Sequence, residues 1–325
     1  MSSLIQALSL ILPQRQVVTD PLRRLAYGTD ASFYRLVPEV VAVVESEQEV
    51  QALLRVARAH RRPVTFRAAG TSLSGQAITD GVLALIGESF ATCEIPPDAA
   101  TVRLGPGIVG GEVNLRLAPF GRKIGPDPAS INACKIGGIA ANNASGMCCG
   151  TAQNSYRTLA GVRVVLADGT VLDTEDATSV AAFRQSHASL LTELEQLGVA
   201  ARADSALAAR IRHKYKIKNT TGYSLNALVD FEDPIDILAH LMMAPKARLA
   251  SSRELLFAPS LKIHARPARW SSFQPSKQHV RPSFALSRNP SRRSSCSTVP
   301  LCVRWRTSPE CRRSCVCSAT KRPHC

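Results

Sequence analysis

Apolar residues change their spacing along the first ninety positions, and the changes mark out elements. Val40–Val44 is an unbroken apolar run of mostly β-branched residues and predicts a buried strand. Ser46 and Glu49 then stand three apart as a capping box, and Val50, Leu53, Leu54 and Ala57 fall on one face of the helix that follows. That helix is expected to end near His60, before Pro63. Pro63–Phe66 and Val82–Ile86 read as two further strands, so the pattern is βαβ. Thr101–Leu104 starts a second region, with a helical stretch at Glu112–Leu117. Gly161–Leu166 and Thr170–Leu172 predict a hairpin across Asp168-Gly169, read as a two-residue turn, and helices are expected near Ala188–Leu197 and Ser205–His213. The fold class expected is α/β (α+β) with two lobes, residues 1–95 and 96–243.

Two stretches carry candidate chemistry. The first is the loop leaving the Pro63–Phe66 strand: Arg67, Ala68, Ala69, Gly70, Thr71, Ser72, Leu73, Ser74, Gly75 and Gln76. Small residues at the carboxyl end of a strand leave backbone N–H groups able to converge on an anion, and the hydroxyls add donors. Alone, such a loop reads as a surface turn. The second stretch runs from Gly125 to Gly146 and offers Pro126, Asp127, Gly137, Gly138, Asn142, Asn143 and Ser145. A third, Lys218-Asn219-Thr220-Thr221-Gly222-Tyr223-Ser224-Leu225-Asn226, follows in order. Gly105, Gly107 and Gly110 fit a dinucleotide-binding G-x-G-x-x-G, but no strand tipped by an acid follows at the required distance, and the chain turns to Pro119, Gly121 and Pro126.

Together the three stretches resemble the FAD-binding domain of the vanillyl-alcohol oxidase/PCMH flavoproteins, in particular the FAD-linked D-2-hydroxyacid dehydrogenases of the D-lactate and D-2-hydroxyglutarate type. The resemblance implies a two-lobed fold in which FAD lies between the lobes. Arg67–Gln76, with Gly70, Thr71, Ser72, Ser74 and Gly75, would hold the pyrophosphate and ribityl region. Pro126, Asp127, Gly137, Gly138, Asn142, Ser145 and Gly146 would line the other side. Covalent members often place a histidine in the first loop, whereas Thr71 stands in the small-residue run here, so noncovalent FAD is expected. Lys218, Asn219 and Tyr223 are expected either near the flavin edge or at a helix start. The implied reaction oxidises a D-2-hydroxy acid to the 2-oxo acid, with an electron acceptor left unnamed. A flavin-dependent reductase of cell-wall precursor synthesis shares the fold and is the alternative. In the family, a cap domain supplies the base and carboxylate-binding cations, and larger relatives add an iron–sulfur domain. Neither is recognisable here, so no catalytic residue is named and a competent dehydrogenase is not expected from this chain.

Composition divides the 325 residues at Met243. Residues 244–325 hold 17 of the 40 basic side chains, only 2 of the 25 acidic ones and none of the 19 glycines, so all of the +15 charge lies there. Regrouped by one base, possible codons for the residues after Met243 can spell Gly-Ser-Glu-Gly-Thr-Leu-Gly-Phe-Ile, which is how the family continues at this point. The tail is therefore expected to be out of frame, without helical or strand period, and disordered. A basic nucleic-acid-binding tail is the competing reading, but it has no recognised module and few aromatics. The histidines and cysteines have no metal-ligand spacing, so no metal is expected, and Cys148-Cys149 resembles a paired-cysteine element of the flavin family. No apolar run is long enough to span a bilayer, which makes a cytoplasmic location the default expectation and disulfides unexpected.

Overall fold

The computed structural model describes residues 2–146, 150–219, 222–243 and 257–267. In chain order the elements are α1 (Ser3–Ile11), β1 (Val17–Val18), α2 (Pro21–Ala26), β2 (Val40–Val44), α3 (Glu47–Ala59), β3 (Val64–Arg67) and β4 (Val82–Ile86). Then come β5 (Cys93–Glu94), β6 (Thr101–Leu104), α4 (Gly110–Leu117), β7 (Arg122–Ile124), α5 (Ile136–Ala141), α6 (Ser155–Thr158), β8 (Leu159–Val165) and β9 (Val171–Asp173). Five helices and one strand follow among the described residues: α7 (Ala177–Ser186), α8 (Ala188–Ala203), α9 (Ser205–Lys214), α10 (Ala227–Asp230) and α11 (Pro234–Leu241), then β10 (Phe257–Pro267).

The first lobe is a four-stranded sheet in the order β1-β2-β4-β3, with β2, β4 and β3 parallel and β1 antiparallel at the edge. Its strands form where the apolar runs predicted them. Val40, Val44, Val82 and Ile86 pack with Val50, Leu53, Leu54 and Ala57 of α3 and with Leu4 and Leu8 of α1. The capping box is half formed as expected. Glu49 N donates to Ser46 Oγ at 3.2 Å, but the Glu49 carboxylate accepts from Glu45 N at 2.7 Å, one residue further back than the motif implies.

The second lobe is antiparallel, in the order β5-β6-β10-β8-β9, with β7 also paired to β10. Its core joins Val102, Leu104, Val113, Leu117, Val162, Val164 and Leu172 to residues of α5, α7, α8 and α11. The β8–β9 hairpin differs from the expected two-residue turn. Val165 pairs with Val171, and Leu166 N donates to Thr170 O, which leaves three residues in the loop. Gly169 there has φ 90°, the left-handed residue such a three-residue loop requires. The lobes meet where α3 faces this hairpin: Gln51 Nε2 donates to Gly169 O at 2.7 Å, and Arg163 forms a two-pronged ion pair with Glu47 at 2.8 and 2.9 Å.

The tail contains the largest departure from expectation. Residues 257–267 form β10, the strand between β6 and β8. Leu261, Ile263 and Ala265 are buried, while Lys262, His264 and Arg266 alternate with them on the other face. Lys262 pairs with Glu175 at 2.7 Å. Tail-wide composition conceals this local period of two. Residues 268–325, including the cysteines of the proposed tail, lie outside the described residues, as do Cys148 and Cys149.

Candidate FAD-binding site

The first loop leaves the carboxyl end of β3 and is braced from beneath. Arg67 Nη1 donates to the carbonyls of Tyr27 and Thr29 at 3.1 and 2.8 Å. Burial lowers the Arg67 pKa and Asp30 opposes that shift, so its cation serves as a strut under the loop rather than an open anion ligand. Above it, Gly70 has φ 67°, its carbonyl accepts from Ala31 N at 2.9 Å, and a Cβ there would lie 2.6 Å from the Arg67 guanidinium. Gly75 shares φ 67° and faces the Tyr34 ring. Ser72 Oγ donates to Gln76 Oε1 at 2.9 Å and accepts from Ser74 N at 3.2 Å, which fixes the turn. Ala68, Ala69 and Thr71 are half-buried, and Leu73 is 75% exposed.

The second loop is built on the segment that imitated a dinucleotide motif. Gly105 and Gly107 lie against the Phe90 backbone, where a Cβ would approach to 2.0 and 2.9 Å, so these glycines serve packing. Pro106 O and Ile108 O then accept from Gly137 N and Ile136 N at 3.0 and 2.9 Å, fixing the start of α5. Ile136, Ile139 and Ala140 share a buried core with Leu261 and Ile263 of β10, and Pro126 lines a small cavity beside them. Asp127 is ion-paired with Lys123 at 3.1 Å and with Arg266 at 3.7 Å. Gly146 passes the Asp127 backbone so closely that a Cβ would sit 1.8 Å from its carbonyl oxygen. Ser145 is buried and Asn142 exposed, and Asn143 Oδ1 accepts from Tyr156 N at 3.0 Å. Gly138 lies on the exposed side of α5, and a Cβ there would meet nothing within 4 Å.

Residues 38–175, which include both loops, match the FAD binding domain family. This chain is similar there to FAD-linked hydroxyacid dehydrogenases. It is 31% identical over 156 residues to D-2-hydroxyglutarate dehydrogenase of Escherichia coli K12, covering 47% of this chain and 15% of that protein. It is 32% identical over 174 residues to glycolate oxidase subunit GlcD of the same organism, covering 53% and 35%. These matches span about a third or less of the relatives' own length. A structure of a Phl p 4 variant titled a glucose oxidase superposes with a TM-score of 0.52 at 11% identity, covering 82% of this chain and 44% of that one, and supports the fold alone.

The third stretch shares a cleft with Asn143 of the second loop. Lys218 is exposed, and the Tyr223 carbonyl accepts from Tyr215 Oη at 2.7 Å. Asn219 and Asn226 line that cleft with Tyr156, Arg157 and Asp230. Sequence spacing gave no sign of that convergence, because its members come from α6, α10 and the segment before α10 and are brought together by the fold. Burial and the nearby Asp230 carboxylate raise the Tyr156 pKa well above the usual phenol value, so the hydroxyl stays protonated. No helix among the described residues is long and apolar enough to cross a membrane, and no cluster of His, Cys, Asp or Glu there could hold a metal.

Proposed function

We propose that this chain binds FAD noncovalently between the Arg67–Gln76 and Gly125–Gly146 loops, and that the protein acts on a D-2-hydroxy acid, yielding the 2-oxo acid. Gly138 carries this reading. It has an ordinary helical backbone in α5, its surroundings are empty, and alanine would favour the helix by about 0.5–1 kcal/mol. A glycine that neither conformation nor packing requires is explained by a ligand lying against the main chain. The first loop offers the matching surface: the left-handed turns at Gly70 and Gly75 and the small side chains from Ala68 to Ser74 keep its backbone accessible. When bound, FAD would supply the hydride acceptor. The chain's own residues hold that group in place: Arg67 fixes the height of the first loop, and Asp127, clamped by Lys123 and Arg266, fixes the second. The names of the two bacterial relatives support the substrate class.

FAD titration of the purified chain, followed in the visible spectrum, tests the cofactor assignment: a perturbed flavin band at stoichiometric uptake is expected. D-Lactate, D-2-hydroxyglutarate, glycolate and an enolpyruvyl sugar nucleotide, offered with an artificial electron acceptor to the full-length protein, test the substrate class. Turnover of the sugar nucleotide alone would overturn it.

A further inference from the structure

Lys135 stands where local structure disfavours a lysine. It precedes α5, at the position whose side chain ordinarily accepts from the first N–H groups of a helix, and it makes no such capping bond. A cation there is also opposed by the helix dipole, which favours negative charge at this end. The backbone leaves no free donors for an anion either. Ile136 N and Gly137 N donate to Ile108 O and Pro106 O, and Gly138 N and Ile139 N donate back to Lys135 O. Neither capping nor helix electrostatics accounts for this residue.

The path of its side chain does. That side chain is only 17% exposed, and its ammonium reaches the first lobe, 3.6 Å from Glu88 Oε1. Glu88 lies just past β4, at the carboxyl end of the parallel strands. Arg67, where the first loop begins, pairs with Leu85 on that same neighbouring strand. Lys135 therefore carries charge from the second lobe to the edge from which the first loop departs, and ligands of open α/β sheets bind outside that edge. Its pairing there is slight. The separation exceeds hydrogen-bond length, the Glu88 side chain is 89% exposed, and Lys135 Nζ makes no hydrogen bond among the described residues. The cations beside it in the two loops are differently placed: Arg67 is held by the Tyr27 and Thr29 carbonyls, and Lys123 and Arg266 face Asp127.

We propose that Lys135 meets the diphosphate of FAD, and that Glu88 is the partner it gives up on binding. The assignment rests on the flavin reading above and supplies the counter-charge that reading lacks. An ammonium is a point charge suited to phosphate oxygens, and a carboxylate as exposed as Glu88 can turn into water at little cost. Lys135 is then a residue that selects for the phosphate-bearing part of the cofactor, while Gly138 leaves room for it against the main chain.

Uptake by the full chain, followed in the visible spectrum, is compared for FAD and for riboflavin, which carries no phosphate. Lys135→Gln should weaken FAD by about tenfold or more and change riboflavin by less than about twofold, whereas Lys135→Arg should keep most of the FAD affinity. Inorganic pyrophosphate should compete with FAD in the parent chain, and about tenfold less effectively in Lys135→Gln. Glu88→Gln should tighten FAD by about twofold or more, because it releases the ammonium. Melting temperatures of the three variants should stay near that of the parent. Equal losses for FAD and riboflavin would make Lys135 a structural support and overturn the assignment. Unchanged FAD affinity in Lys135→Gln, weaker FAD binding in Glu88→Gln, or no competition by pyrophosphate would overturn it as well. If riboflavin uptake falls below detection, or Lys135→Gln does not fold, Glu88→Gln and pyrophosphate competition in the parent decide the matter. The two claims stay apart: FAD uptake insensitive to Lys135 removes this assignment alone, and a parent chain that takes up no FAD removes the flavin reading and the assignment with it.

Discussion

The two glycine loops look alike in sequence and are glycine-rich for different reasons. In the first, Gly70 and Gly75 both have φ 67°, and their glycines answer a conformational demand. In the second, Gly125, Gly137 and Gly146 have no such backbone. Their Cβ positions are filled by Thr158 and Gln153, by Pro106 and by the Asp127 carbonyl. The first loop is a bent ribbon held from below by one arginine. The second is pressed between its own scaffold and a strand from more than a hundred residues later. The first should therefore tolerate strain locally, whereas the second should fail together with its support.

The largest expected effect tests that dependence. Leu261 is 1% exposed in the middle of β10, in one core with Ile136, Ile139 and Ala140 of α5. Leu261→Ala should cost about 2–5 kcal/mol, read from denaturant unfolding. Hydrogen exchange should show the second lobe loosened and β2–β4 still protected. Equal loss of protection in both lobes would remove the contrast. Gly146→Ala comes next, since the clash is with backbone that cannot rotate away, and about 1–3 kcal/mol is expected in the same assay. Gly75→Ala should cost about 1–2 kcal/mol through its left-handed φ, with the loss confined to the first lobe.

A smaller effect is pH-dependent and belongs to the second lobe. His240 stacks on Phe231 at 3.9 Å and donates from Nδ1 to the Asp236 carbonyl at 2.9 Å. Burial lowers its pKa below the ordinary 6.5, so the unfolded chain binds more protons just under that value. This contribution is complete above about pH 6.5 and is lost as the pH falls through the depressed folded value. Melting temperatures measured from pH 7.5 to 5 should fall, and His240→Gln should flatten part of the slope.

Much of the first lobe was legible because its strands are buried on both faces and write themselves as apolar runs, as Val40–Val44 and Val82–Ile86 do. The second lobe was less so. Helix α7 has a single fully buried residue, Phe183, and leaves little periodic trace. Strand β10 was hidden by averaging: Leu261, Ile263 and Ala265 alternate inside a tail whose overall composition is basic and glycine-free. The candidate site was marked by two motifs, without any sign of how its loops are supported. Nothing in the string of residues shows that Arg67 faces carbonyls, or that Arg266 reaches Asp127 from β10. The convergence of Tyr156, Asn226 and Asp230 is likewise a product of packing.

Gly138 offers the most direct measurement of the central claim, because it separates ligand contact from folding. The Gly138→Ala variant fills empty space on an exposed helical turn, so its melting temperature should equal or exceed that of the parent chain. If FAD lies against this backbone, titration should show its affinity lowered by about tenfold or more in the same stable protein. Unchanged FAD affinity in a stably folded Gly138→Ala protein would contradict the proposed binding mode.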